Sequence, residues 1–119
     1  VISIGGIFDI PSLVNRYKGY KNEYIIPAFG DDINKWKKAS PQFVSKESLK
    51  KINYNQLPNY LLIDSQEDTL VNTEQTTEFA SHLKGLGFNN IQVVDDKFGD
   101  HNNIPQNVDV VDRIYKFLV

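Results

Sequence analysis

The chain has no cysteine, no methionine and only one tryptophan. Without cysteine there is no disulfide framework, no thiolate metal site and no cysteine nucleophile. Long hydrophobic runs are missing too. No stretch approaches the roughly 18 apolar residues that a membrane-spanning helix needs, and no charged segment precedes an apolar one at the N-terminus. These features lead us to expect a cytoplasmic protein in a reducing setting. Charge of either sign is scarce as an excess: 13 Lys and Arg oppose 15 Asp and Glu, a net of −2. That balance gives no electrostatic basis for binding nucleic acid. Gly5-Gly6 lacks both the G-x-G-x-x-G spacing and a following Lys-Ser/Thr, which excludes a phosphate-cradling loop. The missing methionine bears on origin. A translated chain begins with Met, whereas this one opens at Val1 within an apolar run, and we expect a processed product or a piece of a longer chain.

What is present suffices for a core. Apolar residues make up 40% of the 119, with seven Phe and six Tyr among them, enough for one domain or part of one. The organising stretch is Tyr60-Leu61-Leu62-Ile63, an unbroken apolar run followed at once by Asp64-Ser65-Gln66-Glu67-Asp68. Strands buried on both faces of a parallel sheet read this way, and the loops at their carboxyl ends are where open α/β folds carry chemistry. Val1-Ile2-Ser3-Ile4, stopped by Gly5-Gly6, reads as an earlier strand, and Ile91-Gln92-Val93-Val94 as a later one.

Helices fall between the strands. Asp9 caps a short helix with Pro11 in its first turn. Residues 18–59 hold helix-like pieces at 21–29, 32–38 and 46–52, broken by Pro27, Gly30, Ser40-Pro41 and Pro58. So long a connection predicts a helical insertion over the sheet. Its aromatics, Tyr24, Phe29 and Trp36 among them, are candidates to wall an apolar pocket, and core packing accounts for them equally well. Asn72 or Thr73 starts the next helix, with Gln75 placed to complete a capping box on Asn72 and Gly87 as its stop. Asn107 caps the last helix, whose Val108, Val111, Tyr115 and Leu118 form an apolar stripe. Alternating strands and helices predict an α/β fold, a parallel sheet with flanking helices.

Two histidines are available. His82 falls inside a helix and reads as a surface residue. His101 follows Gly99-Asp100 in the loop after the third strand, on the sheet edge that also presents Asp68. A carboxylate bonded to one imidazole nitrogen fixes the tautomer and leaves the other nitrogen to accept a proton from a nucleophile. Asp95, Asp96, Asp100 and His101 are a weaker alternative as a metal cluster, because they lack the spacing of known sites; no metal and no cofactor are expected.

The segment Leu62-Ile63-Asp64-Ser65-Gln66-Glu67-Asp68-Thr69-Leu70-Val71, with its following helix ending at Leu86-Gly87, resembles the acid-bearing segment of α/β-hydrolases. Ser65 stands where that family more often has Gly. Gly99-Asp100-His101 resembles the segment of the catalytic histidine. Ile4-Gly5-Gly6-Ile7-Phe8-Asp9-Ile10 resembles the strand and turn after the nucleophile helix in esterase and lipase types, and Ala39-Ser40-Pro41 the Ser-Pro before the acid strand. Kynurenine formamidase-like and prenylcysteine methylesterase-like enzymes are the subfamilies it is most similar to. The resemblance covers essentially the whole chain, in order. It implies that residues 1–119 are the C-terminal part of a single α/β-hydrolase domain, its last three strands plus a helical insertion at about 18–59. It further implies a serine hydrolase of carboxylic esters or small amides, with Asp68 the orienting acid and His101 the base. One departure is large. None of the seven serines sits in a G-x-S-x-G elbow, and the oxyanion-hole glycines are absent. Acting alone, the chain is therefore expected to be inactive. An N-terminal half, on the same precursor or a second chain, would supply the nucleophile. The alternative is a catalytically inactive binding or regulatory module of the same fold.

Overall fold

The computed structural model describes all of residues 1–119. Three parallel strands form one sheet in the order β1 (Ile2–Ile4), β2 (Tyr60–Ser65), β3 (Ile91–Asp96). This is an α/β architecture with helices flanking a parallel sheet. Strand β2 is central, pairing Leu61 with Ile2 and with Gln92. It needs apolar side chains on both faces, and Leu61, Leu62 and Ile63 are each 1% exposed. It runs two residues further than its apolar letters, because Asp64 and Ser65 keep the ladder with Asp95 and Asp96.

Each sheet face has its own core. Leu62 packs with Phe79, Ala80, Leu83 and Leu86 of the segment that begins with α4 (Glu74–Gly85), and with Phe8 and Phe88. Phe8 and Phe79 stack at 4.1 Å. On the other face, Leu61 and Ile63 meet Phe98, Ile104 and Val110, joined by Ile114 and Phe117 of α5 (Val108–Leu118).

Between β1 and β2 the chain is helical in short pieces. Helix α1 (Ile10–Arg16) begins at Asp9, whose carboxylate accepts the Ser12 N–H. A π-helical turn, Lys21–Ile25, runs directly into α2 (Ile26–Phe29), and α3 (Ile33–Lys38) follows. Single 3₁₀ turns at Pro41–Phe43, Glu47–Leu49 and Tyr54–Gln56 lead into β2. Ile10, Ile25 and Trp36 make a third, smaller core beneath these pieces.

Two expectations are corrected. The stripe Val108, Val111, Tyr115 and Leu118 points outward, between 52% and 79% exposed, while Val110 is fully buried. Both sets satisfy helical spacing; contact with the sheet selects Val110, Ile114 and Phe117. Gln75 does not close a capping box. Its amide oxygen accepts the N–H groups of Phe8 and Asp9, both at 2.9 Å, and its amide nitrogen donates to the Asp9 carbonyl. A buried amide able to satisfy three backbone groups of another segment contributes more there than at a solvated helix end. Asn72 instead donates to the Glu74 carboxylate.

The cap of α5 is as the sequence predicts, with the Asn107 side-chain oxygen accepting from Asp109 and Val110. Asn107→Ala is expected to cost about 1 kcal/mol, read as a lower urea midpoint at unchanged slope; an unchanged midpoint would refute the assignment.

Candidate functional site

In a parallel sheet every strand ends at the same edge, so the loops after β1, β2 and β3 converge. The loop after β2 carries Asp68 and the loop after β3 carries His101, which opens a 3₁₀ turn (His101–Gln106). Their side chains meet. His101 Nδ1 lies 2.7 Å from Asp68 Oδ2 across 33 positions of sequence. The Asp68 side chain is 1% exposed and the imidazole 30%. The other carboxylate oxygen, Oδ1, accepts the Leu70 and Val71 N–H groups at 2.8 and 3.0 Å. With the carboxylate ionised, Nδ1 is the donor, and Nε2, which makes no hydrogen bond, carries the free lone pair.

A second layer of bonds ties the two loops to each other. The Asp100 carboxylate accepts the Thr69 N–H and hydroxyl as well as the His101 N–H, all within 3.0 Å. The Thr69 N–H, then the His101 N–H and the Thr69 hydroxyl, hold the Asp100 carboxyl below its ordinary range. Glu67 accepts the Gly99 N–H, and the Ser65 hydroxyl donates to the Gly99 carbonyl while accepting from Phe98 and Glu67. Ser65 is thus fully engaged in holding the loops together. Its small, hydrogen-bonding side chain suits a position where two backbones approach.

Beside the pair lies an apolar cavity of about 250 Å³, walled by Ile7, Tyr20, Tyr24, Ile25 and Leu70 and reaching His101. A neighbouring space of about 260 Å³ shares Ile7 and Ile25 and adds Phe29. Tyr24 and Phe29 therefore face this region. Trp36 does not. It is 6% exposed in the third core, its indole N–H donating to the Gly30 carbonyl. The Tyr20 hydroxyl donates to the Leu70 carbonyl at 2.8 Å, pinning the cavity wall to the acid loop. A larger, open depression of about 690 Å³ beside His82 is lined mainly by polar side chains, and its Glu78 and His82 share no hydrogen bond. His82 itself is half-buried and bonds to the Val44 carbonyl.

Of the four residues considered as a metal cluster, Asp95 lies across the ladder from Asp64 and the other three turn to different tasks. Asp96 accepts the Lys97 N–H, Asp100 holds Thr69, and His101 holds Asp68. No three His, Asp or Glu side chains converge as a metal site.

Sequence reasoning missed Asp64. It is 3% exposed on β2, with no hydrogen bond to either carboxylate oxygen. Burial first, then the charge of Asp95 directly across the ladder, pushes its pKa up to about 7. The signal was available: the parallel register places two aspartates side by side.

Fold and site together define an α/β protein whose strand-end loops hold a carboxylate–imidazole pair over an apolar cavity. No helix is long and apolar enough to cross a membrane. No family model and no curated protein matches the chain, so a likeness to α/β-hydrolases rests on the ordered motifs alone.

Proposed function

We propose that this chain supplies the acid–base half of a serine-hydrolase site acting on carboxylic esters or small amides such as aryl formamides. The observation that carries the reading is the 2.7 Å Asp68–His101 bond, with the other carboxylate oxygen fixed by backbone N–H groups and Nε2 free. Such an imidazole takes a proton from an attacking hydroxyl and returns it to the leaving group. Asp68 holds the ring in the tautomer that does so and stabilises the imidazolium that forms. The cavity lining is apolar apart from the tyrosine hydroxyls and His101, which suits a neutral apolar or aromatic substituent next to the scissile bond.

No hydroxyl of this chain hydrogen-bonds Nε2, and Ser65 and Ser40 are committed to backbone groups. The nucleophile and oxyanion donors would come from an N-terminal half. Two surfaces suit such a partner: the outer edge of β1, which pairs only with β2, and the exposed apolar stripe of α5.

The test is reconstitution. Mixing the chain with an upstream segment carrying a G-x-S-x-G elbow is expected to give hydrolysis of an activated aryl ester that neither piece shows alone. Complex formation without turnover would instead favour the non-catalytic binding module.

A further inference from the structure

We propose that Gly5 is a positioning residue for the Asp68–His101 pair, because the space its missing side chain leaves is the space the imidazole fills. Gly5 is the first residue after β1, buried, with φ +58°. A Cβ there would lie 2.9 Å from His101 Cε1, 3.0 Å from Nδ1 and 3.5 Å from Asp68 Oδ2. The first of these is shorter than real Cβ contacts and the second is tighter than nearly all of them, while the third is ordinary contact. It is therefore the ring or the Gly5 backbone that has to give. The Gly5 backbone is held on both sides. Its N–H donates to the Ile63 carbonyl at 2.8 Å, extending the β1–β2 ladder by one bond. Three residues further on, Gln75 clamps Phe8 and Asp9. Asp68 is held as well, by Leu70 and Val71. The imidazole is the least restrained of the three, and a methyl at position 5 would swing it off the carboxylate.

The loop after each of the three strands thus contributes one part. β2 gives the acid and β3 the base. The β1 loop gives a flat, side-chain-free surface against which the ring edge lies. A left-handed residue also favours glycine for backbone reasons, so steric positioning must be separated from strain. Gly30 provides a control for a glycine-requiring backbone with open space around it: its φ is +80° with ψ 175°, and an added Cβ would meet nothing within 4 Å.

The contact is a property of this chain alone; only its value for turnover rests on the hydrolase reading. The experiment compares Gly5→Ala and Gly30→Ala in the 119-residue chain by proton NMR, following the downfield resonance of the hydrogen-bonded His101 Nδ1–H. The expected result is loss of that resonance in Gly5→Ala and its retention in Gly30→Ala. Its retention in a folded Gly5→Ala overturns the proposal. If Gly5→Ala is too unstable for spectroscopy, urea midpoints of Gly5→Ala, His101→Ala and the double variant decide. The midpoint drop caused by Gly5→Ala is expected to shrink clearly once His101 is alanine. An equal drop in both backgrounds means that the ring does not occupy that space, and the proposal fails. Neither measurement needs a partner or turnover, so this outcome is independent of the reconstitution result.

Discussion

His101→Ala is expected to lower kcat/KM for an activated ester by roughly 10²–10⁴-fold in the reconstituted hydrolase, the usual range for a lost general acid–base. A 10⁴-fold loss corresponds to about 5.5 kcal/mol of transition-state stabilisation. Asp68→Asn is the sharper companion. The asparagine oxygen can keep the Leu70 and Val71 N–H groups that Asp68 Oδ1 now accepts. Its NH₂ group then faces Nδ1 and favours the tautomer protonated on Nε2, which cannot take a proton from a nucleophile. A loss on the order of 10⁴-fold in kcat is expected from this change of tautomer alone. Asp68→Ala would mix catalysis with stability, since it strands two backbone donors beside a side-chain position that is 1% exposed. Retention of full activity by either His101→Ala or Asp68→Asn would reject the roles assigned to them.

The second large effect concerns stability and pH. In the folded chain the Asp64 carboxyl is raised to about 7 by burial and by the charge of Asp95, against about 3.9 for an unfolded aspartate. Between those values the native state holds a proton that the unfolded chain has released. The contribution of this carboxyl to stability is therefore greatest below about pH 4, falls as pH rises through the window, and levels off above about 7. A shift of about three pH units caps the loss at about 4 kcal/mol. Asp95 is exposed, so water screens the pair and roughly 2 kcal/mol is the expected size. Asp64→Asn keeps the shape and removes the charge. It should raise the urea midpoint at pH 8 and leave it nearly unchanged at pH 4. A difference that is equal at the two pH values would rule out this titration. Asp64 is thus a stability cost at neutral pH, carried at the tip of the central strand.

Much of the fold was legible because local rules and burial agreed. Tyr60-Leu61-Leu62-Ile63 reads as a strand covered on both faces, and Asp9 and Asn107 could cap helices whatever lay around them. Gly87, at φ +99°, stops α4 as its position foretold. The failures occur where two local answers were equally good. On α5, Val108-Val111-Tyr115-Leu118 and Val110-Ile114-Phe117 both keep helical spacing, and only the position of the sheet chooses between them. Gln75 had a plausible task at its own helix end and a better one holding the Phe8–Asp9 backbone. Trp36 had the chemistry of a pocket wall and the environment of a core.

The sequence by itself determined that the chain is α/β, that its strands run parallel, and that Asp68 and His101 belong to loops on one edge of the sheet. These follow from periodicity, from the alternation of elements and from the geometry common to all parallel sheets. Only the tertiary structure decided that the two side chains close to 2.7 Å, that Thr69 and Asp100 lock their loops together, that Gly5 lies against the ring, and that Asp64 is buried without a partner. Each of these depends on distances between segments remote in sequence, and such distances are set by packing of the whole domain rather than by the preferences of neighbouring residues.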